Sequence, residues 1–249
     1  MPKIFLFLLC LWTSALSDVR IPHPEDPGFF DALGENPASR FSGLRLGLVW
    51  THPMEGVDYE TFGFFSEWGS SRYRIGASFA SSFLDSLYRS GNFGVEASLS
   101  FGRLSLGAGG NVDVQFVPGD FSWWRAAGRA GLSVYGEKGL SAGAFVRVPS
   151  DFERATFAGN VSFEIFGRFL SEAALVYSEP VGFLFVFGEK IRLGSLAFEG
   201  SFAYPGPKVG AGIVINLQKC GASFGMHRDG NYMDSRAYGL FFSPFPAKK

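Results

Sequence analysis

Residues 103–116, RLSLGAGGNVDVQF, interleave two chemistries with a period of two. Leu104, Leu106, Ala108, Val112, Val114 and Phe116 form one row, and Arg103, Ser105, Asn111, Asp113 and Gln115 form the other. Successive side chains of a strand point to opposite faces, whereas a helix would scatter both rows around its circumference. A chain made of such segments folds as sheet, and its oily face needs something other than water to lie against.

The same alternation recurs in FGVEASLSF (93–101), LSAGAFVRV (140–148), AGNVSFEIF (158–166) and KVGAGIVINLQ (208–218). It predicts about fourteen strands: 42–50, 57–67, 71–80, 92–101, 103–117, 121–135, 139–148, 155–167, 169–178, 180–188, 192–204, 207–217, 219–227 and 235–242. Many approach the roughly 9–11 residues that a tilted strand needs to cross a bilayer. Four connections share an aromatic, a glycine and a charge: Phe101-Gly102-Arg103, Tyr135-Gly136-Glu137, Phe166-Gly167-Arg168 and Phe187-Gly188-Glu189. They fall on every second connection, so the sheet has tight turns at one end and longer, often proline-marked loops at the other.

A soluble sandwich hides its oily face and wets its polar one. Here the polar rows are mostly Gly, Ser and Asn, and charged residues are only 18% of the chain, too few for an ordinary solvated exterior. Trp50, Trp68, Trp123, Trp124, Tyr135, Tyr177 and Tyr204 gather near strand ends, where an interfacial girdle belongs. Fourteen strands exceed one small sandwich, and a closed barrel has no edge. The expected architecture is an all-β, transmembrane, antiparallel up-and-down barrel of about fourteen strands (12–14), oily face on lipid and polar face on a lumen. A soluble periplasmic β-sandwich is the alternative.

The amino terminus, MPKIFLFLLCLWTSALSDVR, resembles a secretory signal: Lys3, then the apolar run Ile4–Trp12, then Ala15 and Ser17 at a small-x-small cleavage site. This predicts export through the Sec pathway, a signal peptide at 1–17 and a mature chain from Asp18, with Cys220 as its only cysteine and no internal disulfide framework. The remaining boundaries are a hatch or plug segment at 18–41, a barrel at 42–242 and a tail at 243–249. Pro244 and Pro246 are expected to bar continuation of the last strand. Removing Lys3 takes the formal charge from −1 to −2, which offers nucleic acid no electrostatic attraction.

The triplet Asn36-Pro37-Ala38, shortly before the first strand, resembles the motif in the amino-terminal segment of FadL-like outer-membrane barrels. That superfamily holds long-chain fatty-acid transporters and the PorV/PorQ-type proteins of secretion systems, and its known barrels have fourteen strands. The resemblance implies that residues 18–41 plug the lumen as a hatch containing Asn36, Pro37 and Ala38. Asn-Pro is also an ordinary turn signal. The short loops point toward the PorV/PorQ-like branch. The function expected is passage of a hydrophobic or small solute, or docking of exported proteins at the cell surface. A non-conducting structural barrel is the alternative. Expected partners are outer-membrane lipids, the barrel-assembly machinery, and a hydrophobic small molecule or an exported protein.

No catalytic set is legible. His23 and His52 precede prolines, and His227 ends a strand, so no nucleophile can be tied to a base. Asp229, Asn231 and Asp234 do not complete a calcium loop. The reading is no enzyme, no cofactor and no metal. Glu96, Arg103, Asp113, Arg125, Arg129, Arg147 and Glu164 are the expected lumen charges. They either pair across the barrel and fill it or line a path and set its selectivity. Cys220 shares its row with Ala222, Phe224 and Met226 and is expected to face lipid.

Overall fold

The computed structural model describes residues 36–52, 59–84, 88–117, 121–137, 139–150, 155–178, 182–205, 208–217, 219–229 and 233–246. The signal segment, residues 18–35 and His23 lie outside them. Fourteen strands run up and down in sequence order: β1 (Gly43–His52), β2 (Tyr59–Gly69), β3 (Tyr73–Leu84), β4 (Tyr88–Phe101), β5 (Leu104–Val117), β6 (Phe121–Tyr135), β7 (Leu140–Pro149), β8 (Thr156–Ile165), β9 (Phe169–Ser178), β10 (Gly182–Leu193), β11 (Leu196–Tyr204), β12 (Lys208–Leu217), β13 (Cys220–Asp229) and β14 (Met233–Pro246). Every strand is antiparallel to its neighbours, and β1 pairs with β14 to close the barrel. Fourteen strands at the usual spacing and tilt make a cylinder about 28 Å across.

The oily rows face outward. On β5, Leu104, Leu106, Val112, Val114 and Phe116 are exposed, while Ser105, Asn111 and Asp113 on the other row are buried inside. The outer row repeats on every side of the barrel, for example Phe93 and Leu99 on β4, Phe157 and Val161 on β8, and Ile213 and Ile215 on β12. A continuous apolar exterior of this kind is stable against acyl chains and not against water. Both ends of the barrel chain meet at one rim, where Gly43 pairs with Pro246. That rim carries the tight turns 102–103, 166–168 and 194–195, and β1 ends and β2 begins at the opposite rim.

Three boundaries differ from the sequence reading. The predicted turn Phe187-Gly188-Glu189-Lys190 lies inside β10. The true turn is at Gly194, with φ 64°, because Glu189 takes the exterior row and Lys190 the lumen, where an ion pair accepts it. The long loop predicted around 81–91 is largely strand, since β3 runs to Leu84 and β4 starts at Tyr88, with Ser82 paired to Ser90 and Leu84 to Tyr88. β14 continues through Pro244 and Pro246. Its pairing with β13 ends at Phe242, and a bulge against Leu44–Leu46 takes up one extra β14 residue, so the missing proline N–H groups fall at an edge and a bulge.

The inside-out arrangement predicts an asymmetric response to charge. Val112→Arg, on the lipid face, should destabilise the barrel by about 2–4 kcal/mol if it lies near the bilayer midplane. Gln115→Lys, on the lumen row of the same strand, should cost well under half of that. Urea unfolding in phospholipid vesicles measures both.

Candidate functional site: a divided lumen above an amino-terminal strap

The lumen wall has two unlike halves. Strands β1–β7 carry a rising ladder of charge. Arg45 Nη1 is 3.1 Å from Glu67 Oε2, Arg74 contacts both Glu67 and Glu96 through Nη2, and Arg129 Nη2 stands 4.0 Å from Glu96 Oε2. Farther from the turns, Asp113 accepts from Asn92 and, at 3.0 Å, from Asn111 Nδ2, and Arg125 sits opposite it in the β5–β6 register. Arg147 on β7 lies directly opposite Arg129 on β6. Strands β7–β11 carry, beside Arg147 and the Lys190–Glu199 pair, a buried apolar patch on their inward rows: Phe145, Ala158 and Val176 pack together, and Leu184 joins them to Ala174, Val186 and Ala203.

Of the charges expected in the lumen, Glu96, Asp113, Arg125, Arg129 and Arg147 project there. Arg103 does not. It lies at the end of the β4–β5 turn and meets Glu137 at 2.6 Å, with both side chains largely exposed, because the turn ends before the lumen row begins. Glu164 stands at the turn-end mouth, 2.5 Å from Arg192 Nη1. Among the aromatics, Trp50, Trp68, Trp124 and Tyr204 are exposed on the outer wall, and Tyr177 lies on the same outward row, its ring 5.0 Å from that of Phe183. Trp50 stacks on Phe62 and Tyr238. Trp123 and Tyr135 depart from the girdle: both share the inward row of Arg125 and Arg129, since one residue of shift flips a side chain to the other face. Cys220 is exposed on the outer row.

The Asn36-Pro37-Ala38 triplet is a turn and also a wall contact. Ser39 N–H donates to Asn36 O at 3.0 Å, and Ala38 N–H donates to Asn36 Oδ1 at 3.0 Å. Asn36 Nδ2 donates to Leu132 O at 2.9 Å and to Ser133 Oγ at 3.1 Å on β6. The wall receives the triplet where side chains are missing. A Cβ on Gly107 would come within 2.3 Å of Pro37 backbone, one on Gly131 within 2.2 Å of Asn36 Oδ1, and one on Gly143 within 2.5 Å of Asn36 Nδ2. Gly107 and Gly131 pair directly, and Gly143 pairs with Ser133, so three adjacent strands form one notch. Beyond it, Arg74 Nη1 donates to Ser39 Oγ at 2.8 Å, Arg40 N–H donates to Tyr135 Oη at 2.9 Å, and the Arg40 guanidinium lies 4.1 Å over the Tyr135 ring. Residues 36–41 are thus strapped to the inner wall near the turn end.

Arg45, Glu67 and Arg74 escaped the sequence reading, although their inward parity was available from β1–β3. So did the buried pair Lys190–Glu199, at 2.8 Å, hidden by the misplaced turn. Phe145 occupies the polar row of LSAGAFVRV, and an apolar residue on the wrong row is the signal that marks the inner apolar wall. Among the described residues, no three His, Cys, Asp or Glu side chains gather to hold a metal.

No family model matches the chain, and no curated protein matches it. Solved structures do share its fold. The toluene transporter TbuX of Ralstonia pickettii superposes with a TM-score of 0.69 at 12% identity, over 91% of this chain and 99% of that one. The toluene transporter TodX of Pseudomonas putida gives 0.59 at 11% identity, over 84% and 91%. The Acinetobacter baumannii outer membrane protein Omp33 gives 0.57 at 12% identity, over 81% and 98%. At these identities the likeness establishes the outer-membrane type of fourteen-stranded barrel.

The notch sets a steric test. Gly131→Val should displace Asn36 and Pro37 without unfolding the barrel. The Ala38 amide should then exchange with solvent at least tenfold faster, while the β9–β12 amides keep their protection. The Lys190–Glu199 pair offers a second: Glu199→Gln alone should destabilise by about 3–5 kcal/mol, and replacing both partners with leucine and methionine by far less, as a double-mutant cycle in urea would record.

Proposed function

We propose that this protein is an exported barrel of the bacterial outer membrane that passes a small hydrophobic solute inward along its lumen. The observation that supports this reading is the apolar inner wall formed by Phe145, Val176, Leu184 and Val186. Phe145, Val176 and Val186 are packed in and Leu184 is half-buried, and a hydrophobic solute lying on Leu184 gains about 25 cal/mol for each Å² of its apolar surface taken out of water. The shared fold with two proteins described as toluene transporters agrees with a solute of that kind. In this reading the turn end, where both barrel termini meet, is periplasmic, the long-loop rim is extracellular, and the strap at residues 36–41 sits at the exit. Docking of exported proteins in the manner of PorV and PorQ draws on the superfamily resemblance alone.

Uptake by cells with few porins tests the reading. Cells carrying the protein should accumulate labelled toluene several-fold faster than cells without it. Val186→Glu and Phe145→Asp should each remove most of the gain while the folded barrel keeps its altered electrophoretic mobility before boiling. Equal uptake with and without the protein overturns passage and leaves a structural barrel.

A further inference from the structure

Glu189 stands on the lipid side of the barrel wall. Its side chain is exposed on the outward row of β10, between Phe187 and Ile191. Among the described residues, the other charged side chains on outward strand rows are Glu60, Arg89, Arg228 and Arg236. All four sit near strand ends, at the rim opposite the tight turns. Glu189 is instead four residues inside the turn rim from Leu193, which is about 10 Å along the membrane normal at ordinary strand rise and tilt. Phe169, Ile191 and Phe198 lie between it and that rim, and Phe187 and Phe202 lie toward the middle of the wall. No side-chain hydrogen bond or ion pair reaches Glu189 among the described residues. A carboxyl held in hydrocarbon without a donor is costly, so the donor it needs comes from outside the chain.

The wall beside Glu189 is shallow. Ser171 and Gly200 flank it directly in the register, and Ala173 is the next outward residue of β9. A glycine inside a strand weakens it, and often marks a place where another backbone or a ligand approaches closely. Nothing in this chain makes that approach at Gly200, where an added Cβ would meet nothing within 4 Å.

We propose that the outward face of β9–β11 is the contact between two copies of this chain, related by a two-fold axis along the membrane normal. Acyl chains carry no donor, and lipid amines stay at the surface, beyond Phe169, Ile191 and Phe198. A second copy brings its own Ser171 hydroxyl. Ser171 pairs directly with Glu189, which at ordinary strand spacing and tilt puts the two within about 3 Å of one depth. Copies inserted the same way into one membrane keep that depth. An isologous contact centred on the pair therefore sets each Glu189 against the Ser171 of the other copy, whose hydroxyl donates to the carboxyl oxygen. Ala173 and Gly200 let the two walls approach, as small residues do at interfaces formed in lipid. The contact is independent of what passes through the lumen.

Energy transfer between donor- and acceptor-labelled full chains in phospholipid vesicles, followed as lipid dilutes the protein, tests it. Transfer should fit a monomer–dimer equilibrium. Glu189→Leu and Gly200→Phe should each lower the association constant at least tenfold. Ala77→Phe, on the outward row of β3 across the barrel, should leave it unchanged. At high dilution Glu189→Leu should also raise the urea midpoint of the barrel, because it removes a carboxyl from hydrocarbon, so its loss of association is not misfolding. A chain that stays monomeric at every dilution, or a dimer that neither Glu189→Leu nor Gly200→Phe weakens, overturns the proposal. Native mass spectrometry reads the competing occupant. A single chain that retains phosphatidylethanolamine over phosphatidylcholine, and loses it with Glu189→Leu, also overturns the second copy and assigns Glu189 to a lipid amine.

Discussion

Everything in this molecule depends on the pairing of β1 with β14. A strand in hydrocarbon has no water to satisfy its N–H and C=O groups, so an open edge inside a bilayer is costly enough to exclude any sheet that does not close. Closure leaves every strand with two neighbours and turns the two faces of the ribbon into an outside and an inside. The bulge between Leu44 and Leu46 lets β14 carry two prolines through the closing seam. The oily rows can then meet lipid, and the polar rows enclose a space.

Closure also determines what the enclosed space is like. A cylinder about 28 Å across is too wide for the inner side chains of opposite walls to pack as a core, so the wall itself has to satisfy its charges. It does so sideways, by the chain Arg45–Glu67–Arg74–Glu96–Arg129, drawn from five of the six strands β1–β6. The apolar stretch of the wall from Phe145 to Ala203 packs within itself instead. The strap ties the two halves together: Asn36 and Pro37 lie in the glycine notch, with Ser39 on Arg74 at one side and Phe145 against Gly131 at the other.

Glycine has two different jobs in this chain. In turns, Gly102, Gly167 and Gly194 supply positive φ, and sequence spacing foresaw the first two. Gly188 looked the same beside Glu189 and Lys190 but is ordinary strand, because composition around a glycine does not reveal whether its backbone turns. Gly107, Gly131 and Gly143 matter for the absence of a side chain, and nothing in their local sequence separates them from the other glycines of the polar rows.

The sequence by itself determined the sidedness of most strands, a count of about fourteen and the barrel class, because alternation is written between adjacent residues and survives any ignorance of partners; only the run 180–188, oily on both faces, left its sidedness unread. It also placed Glu96, Asp113, Arg125, Arg129 and Arg147 on inward rows by parity alone. Tertiary structure decided which inward residues meet. Asn36 reaches Ser133, Arg129 faces Arg147, and Phe145 joins Val176 only once strand register is set around a closed ring. Register is a relation between strands, stored in pairings many residues apart, so a local pattern could show Phe145 out of place on a polar row but not that it packs with Val176.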